Sequence, residues 1–130
     1  MDNTILAGKY IRKFMTEDTT LMKLISADKI FPLIANPDTT YPFIVYSRDT
    51  ITPIYTKNFL TENELSFTII VVSSDYEESL DIANAVRHSL ESYRYQDEVI
   101  NIYPINLQSV TEETVEDAYI QRMTFTFKAN

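Results

Sequence analysis

Phe67-Thr68-Ile69-Ile70-Val71-Val72-Ser73 runs without a break into Ser74-Asp75-Tyr76-Glu77-Glu78. The first part belongs to a strand over 63–73. Leu65, Phe67, Ile69 and Val71 fall on one face of it, and Ser66, Thr68, Ile70 and Val72 on the other. The second part carries helix-start chemistry, with Ser74 as N-cap and Glu77 three places later as its capping-box partner. From Asp75 to about Tyr93, at 3.6 residues per turn, Ile82, Ala83, Val86, Leu90 and Tyr93 make one stripe. Glu77, Asp81, Asn84, His88 and Glu91 make the opposite stripe. The pattern predicts a long helix whose apolar stripe lies on a sheet and whose acidic stripe faces water.

Working outward, Ala118 to Lys128 reads as a strand, with Tyr119, Met123, Phe125 and Phe127 alternating against Ile120, Arg122, Thr124 and Thr126. Its partner is Val99 to Val110, interrupted by Pro104, and Thr111 to Asp117 reads as an acidic turn. Upstream, Tyr41 to Asp49 is an aromatic and β-branched strand with Pro42 at its start. Lys29 to Leu33 is a short strand stopped by Pro32, followed by a loop over 35–40. Helices are predicted over Asn3 to Met15 and over Asp18 to Ser26, with Thr16, Asp18 and Thr19 as capping candidates. The order α-α-β-β-β-α-β-β predicts one α+β domain over 1–130, its mainly antiparallel sheet carrying helices on one face.

Thr50 to Glu62 reads as an irregular connection holding Pro53 and Asn58. It also holds Ile51, Ile54, Tyr55, Phe59 and Leu60, which a solvated loop does not ordinarily keep. Connections of this length inside compact domains are usually functional. These five residues are therefore the candidate interface, expected to be mobile in the free chain and to order against a partner. The other reading folds the loop back to complete the core.

The 130 residues carry a net charge of −8, one glycine, no cysteine and nine tyrosines. With no cysteine there are no disulfides, thiolate nucleophiles or thiolate metal sites. One glycine builds no phosphate loop or dinucleotide fingerprint. Eleven scattered Lys and Arg argue against nucleic-acid binding. The start of the chain lacks a secretory signal, and the longest apolar run, Ile69 to Val72, is far too short to span a membrane. His88, the single histidine, falls on the polar stripe without an orienting partner. Glu112, Glu113, Glu116 and Asp117 lack the alternation and glycine of a calcium loop. Asp75, Glu77, Glu78 and Asp81 complement a helix dipole. No catalytic, metal or cofactor site is expected. Tyrosine enrichment suits either interfaces or the rim of a core.

Several stretches together resemble the phage tail-completion family, also called tail-terminator or head–tail joining proteins. They are Lys29-Ile30-Phe31, Tyr41-Pro42-Phe43-Ile44-Val45-Tyr46, the strand 67–73 running into Ile82-Ala83-Asn84-Ala85-Val86-Arg87, and the closing Arg122-Met123-Thr124-Phe125-Thr126-Phe127. The resemblance covers nearly the whole chain. It implies a virion structural protein, made in the host cytoplasm, that forms a ring with itself, usually a hexamer. The ring would cap the finished tail tube, meet a neck or connector protein, and let DNA pass without specific contact. An acidic ring suits such a channel. Two other readings stand beside it: a stopper ring nearer the portal, and a small-molecule-binding module with Tyr41, Tyr46, Tyr55 and Phe59 lining a pocket.

Overall fold

The structure, a computed structural model, describes residues 2–56 and 59–130, with the side chains of 56 and 59–61 left aside. A short 3-10 turn, Thr4–Leu6, leads into α1 (Ala7–Thr16) and α2 (Thr19–Leu24). Asp18 caps α2, its carboxylate accepting from the Leu21 amide at 2.9 Å. The strands are β1 (Ile30–Pro32), β2 (Phe43–Thr56), β3 (Phe59–Ser73), β4 (Tyr95–Gln96), β5 (Asn101–Ile102), β6 (Asn106–Val115) and β7 (Ala118–Ala129); α3 (Tyr76–Leu90) stands between β3 and β4. The fold is α+β, as the residue pattern predicts.

One seven-stranded sheet runs β1-β2-β3-β7-β5-β4, and β6 pairs with β7 beside β5. Only the β1–β2 pair is parallel; every other pair is antiparallel. β7 lies along β3 from Ser73↔Tyr119 to Asn63↔Ala129. That register aligns Leu65, Phe67, Ile69 and Val71 of β3 with Phe127, Phe125, Met123 and Gln121 of β7 on one face. α3 lies over this face. Ile82, Ala83, Val86 and Leu90 are buried in one cluster with Phe67, Ile69, Phe125 and Phe127, which α1 and α2 complete through Ile11, Phe14, Met15 and Leu21. The Phe67 and Phe127 rings stack at 5.7 Å between centroids.

Four expectations change. The stretch Thr50 to Glu62 is not an irregular loop: β2 and β3 stay paired through it, from Thr50↔Ser66 to Thr56↔Phe59. A bulge at Asp49 shifts the register between Arg48 and Thr50, which breaks the alternation that would have announced a strand. Thr111 to Val115 belongs to β6, leaving only Glu116-Asp117 as the turn, with Glu116 at φ 55°. α3 begins one residue later than Ser74 would place it. Asp75 is the N-cap, accepting from the Glu78 amide at 3.1 Å, and Glu78 reaches back to the Ser73 hydroxyl at 2.6 Å. It ends at Leu90, so Tyr93 leaves the stripe and packs instead on Phe14 at 4.5 Å between centroids. The region around Pro104 is split into β5 and β6, and β4 is added to the expected order.

Candidate functional site

The long hairpin of β2 and β3 holds the five candidate interface residues. Ile51 pairs with Leu65 and lies half-buried against the core, on the helix-covered face. Ile54, three residues on, points to the other face opposite Glu62 and is half-buried. Tyr55 is 68% exposed. Phe59 and Leu60 pair through their backbones with Thr56 and Tyr55; their side chains lie outside the described residues. The five are thus brought onto one hairpin, with Ile51 and Ile54 on its opposite faces. Ile51 belongs in part to the core, and Tyr55 stands free in solvent.

Tyr41, Tyr46, Tyr55 and Phe59 do not line one pocket. Tyr46 is buried near the start of β2, while the Tyr41 hydroxyl donates to Asp117 at 3.1 Å, at the β6–β7 turn. Tyr41 and Tyr55 are fourteen residues apart along extended chain, on the order of 40 Å at the rise of a strand.

Several of the acidic residues singled out in the sequence hold local structure. Glu112 accepts from the Tyr76 hydroxyl at 3.1 Å and from Gln121 Nε2 at 2.9 Å. Its carboxylate raises the Tyr76 phenol above the ordinary value, chiefly through that hydrogen bond. Glu113 pairs with Arg122 at 2.8 Å. Among the described residues no three His, Asp or Glu side chains come together as metal ligands. His88 is exposed on α3. No helix among the described residues is long and apolar enough to cross a membrane.

Tyrosine serves mainly as a strap. Tyr10 and Tyr95 both donate to Asp97, at 3.0 and 3.1 Å, and Lys13 sits over the Tyr95 ring at 4.8 Å. Asp97 also accepts from the Ile100 and Val99 amides, at 2.9 and 2.8 Å, and these contacts, the Ile100 amide foremost, hold its carboxyl below the ordinary range. Through this cluster the short β4–β5 segment is fastened to α1.

The clefts are open and mixed in character. One of about 430 Å³ lies on the helix-free side between Glu64, Tyr103, Gln108 and Lys128. Another, of about 320 Å³, lies between Tyr76, Glu112, Tyr119 and Gln121. Neither gathers a nucleophile, a base and an orienting group.

Comparison with protein-family models matches residues 9–130 to the family described as "Tail completion protein gp17". The chain belongs to the tail completion protein gp17 family. Tail completion proteins are structural parts of phage virions, and this chain is a structural component of the tail and its junction with the head. Among solved structures it resembles a chain from the virion of a native gene transfer agent particle, with TM-score 0.78 at 12% identity over 92% of this chain and 90% of that one. A second solved chain superposes with TM-score 0.63 at 10% identity over 100% of this chain and 96% of its own. Both share its fold. No curated protein sequence matches. For a tail completion protein the useful surfaces are those that meet other subunits. Two exposed apolar patches escaped the sequence reading: Leu33 and Ile34 beyond β1, and Tyr76 and Leu80 on α3 with Val110 on β6. The signal was present in Leu80, an apolar residue off the helical stripe, and in the Leu33-Ile34 pair entering a polar loop.

Proposed function

We propose that this chain is the ring subunit that terminates the tail tube and joins the tail to the head. In this reading six or so copies close head to tail, one side of the ring meets the tail-tube protein and the other a neck or connector protein, and DNA passes through without specific contact. The observation that carries it is the family match over residues 9–130. A sheet bounded by β1 on one side and by β6 beside β5 and β4 on the other also suits it. The gene transfer agent virion chain that shares the fold belongs to a phage-like particle. Net charge −8 suits a channel for a polyanion.

Deleting the gene from its phage tests this. The expected result is filled heads and finished tails lying separate, joined again on adding the purified protein. Intact infectious particles from the deletion would overturn it. The hairpin is proposed as the part that reaches the tail tube, through Tyr55 and its neighbours. Replacing residues 54–62 by Asn-Gly, a turn suited to a two-residue hairpin, should leave cooperative melting intact and abolish joining. Restored joining by this shortened protein would remove the hairpin from the interface.

A further inference from the structure

We infer that the ring interface, on the proposal that a ring forms, joins the β1 end of one copy to the α3–β6 end of the next. The β1 end carries the most exposed large aliphatic side chains among the described residues: Ile5 at 71%, Leu33 at 75% and Ile34 at 78%. Ile5 and Leu33 line one cleft of about 210 Å³ with Arg48 and Gly8. Leu33 stands there at φ 67°, in the left-handed region, its amide tied to the Tyr46 carbonyl at 2.8 Å. Leucine in that conformation is strained, where asparagine or glycine would not be. A strained backbone that presents an apolar side chain to water points to a partner.

At the far end of the sheet, Tyr76, Leu80 and Val110 are each about two-fifths exposed. Tyr76 is bonded to Glu112. Leu80 follows one helical turn on, a rise of about 6 Å, and Val110 precedes Glu112 by two residues on the same strand face, about 6.6 Å. α3 runs with β7, as the Tyr76–Tyr119 and Ser79–Gln121 contacts show, and so against β6, which sets Leu80 level with Val110. The two patches lie on the helix side of one sheet, at opposite ends. A closed ring needs two different patches on each subunit, placed so that one meets the other on a neighbour.

Charge selects a second copy as the occupant. Near the β1 end, Arg12, Lys29 and Arg48 donate only to the oxygens of Ala27, Thr40 and Ile5, at 3.0, 3.1 and 3.4 Å. Among the described residues none has a carboxylate partner. Asp49, beside Arg48 in sequence, is turned to the helix-free face, where Thr68 and Ser66 donate to it at 2.7 and 3.3 Å. At the other end Glu112 accepts from the uncharged Tyr76 and Gln121 side chains. Among the described residues Arg48, beside the Ile5–Leu33 cleft, thus lacks a carboxylate partner, and Glu112, beside Tyr76, lacks a cationic one.

The chain has no cysteine, so disulfide trapping tests this cleanly. Ile34→Cys protein and Val110→Cys protein are mixed in equal amounts and oxidised. The expected product is the mixed dimer, in several-fold excess over either homodimer, and a double variant should give a ladder ending at the ring. His88→Cys paired with either protein sets the background. Mixed dimers at background level, or Ile34→Cys homodimers in equal yield, overturn the interface. Leu33→Asn in the Ile34→Cys protein should raise the melting midpoint yet cut the mixed dimer several-fold; unchanged cross-linking there would remove Leu33 from the contact. A joining defect on gene deletion tests the ring's role separately, so either idea can fail alone.

Discussion

The two halves of β2 are continuous strand on either side of one bulge, yet they live in different surroundings. Before Asp49, Ile44 and Tyr46 are buried beneath the helices and flanked by β1 and β3. After it, the strand pairs with β3 and has no second strand partner among the described residues, Ile51 is half-covered, and Tyr55 is open to solvent. The near half packs a core; the far half is a projecting arm. Pairing alone does not make a strand structural, since what lies on its faces decides whether its side chains hold the fold or wait for a partner.

The largest effect should come from the near half. Ile44→Ala removes a fully buried side chain and is expected to cost about 2–5 kcal/mol, read as a shift in the denaturation midpoint. A cost near zero would mean the near half is no more core than the far one. Next comes the helix that covers it. Asp75→Ala deletes the α3 N-cap and is expected to cost about 1 kcal/mol, with Ser74→Ala much less, because Asp75 accepts the Glu78 amide. Equal costs would restore Ser74 as the cap.

A smaller effect belongs to the tie that steadies the start of the arm. Asp2 accepts from the Thr4 amide at 2.9 Å and from Asn63, the buried residue opposite Pro53, at 2.9 Å. The Thr4 amide foremost, then Asn63, hold its carboxyl below the ordinary value of 3.8. A carboxyl with a lowered folded pKa stabilises fully above its unfolded value and loses that contribution as pH falls through the folded one. Asp2→Asn should therefore lower the melting midpoint near neutral pH, by about 1 kcal/mol or less, and the two proteins should converge as the solution becomes strongly acid. A constant gap at every pH would exclude the carboxylate as the cause. The smallest effect is Tyr55→Ala, expected within about 0.5 kcal/mol of wild type. A loss as large as that of Ile44→Ala would make the arm part of the core.

What the residues disclosed follows the same division. Elements with one buried face were legible. β3, β7 and α3 each show a stripe, because burial imposes a period on the sequence. β6 was read as a turn over Thr111 to Asp117 because it is exposed almost throughout, and a strand with no buried face has no alternation to betray it. The arm was misread for a related reason. Its bulge resets the phase after Arg48, and Pro53 imitates a loop. Pro53 is tolerated there because, among the described residues, β2 at that point pairs with β3 alone, so one side needs no donor. The five residues offered as an interface are grouped in sequence, and the hairpin sets two of them, Ile51 and Ile54, on opposite faces. The exposed patches at the ends of the sheet were not legible at all, since Leu33 and Val110 look like core residues until the fold places them.

Glycine scarcity has a further consequence. The one glycine, Gly8, lies inside α1, where an added Cβ would touch only a Phe67 ring atom at 4.0 Å. Among the described residues the left-handed turn positions are occupied instead by Leu33, Ser92 and Glu116. Each such residue costs roughly 1 kcal/mol relative to a glycine or asparagine. Proteins are held only above a threshold of stability, not at its maximum, so these positions mark untapped headroom. A laboratory seeking a hardier variant would begin with Ser92, which lies outside both proposed contact patches. Leu33 would be left alone, because it belongs to the contact proposed above.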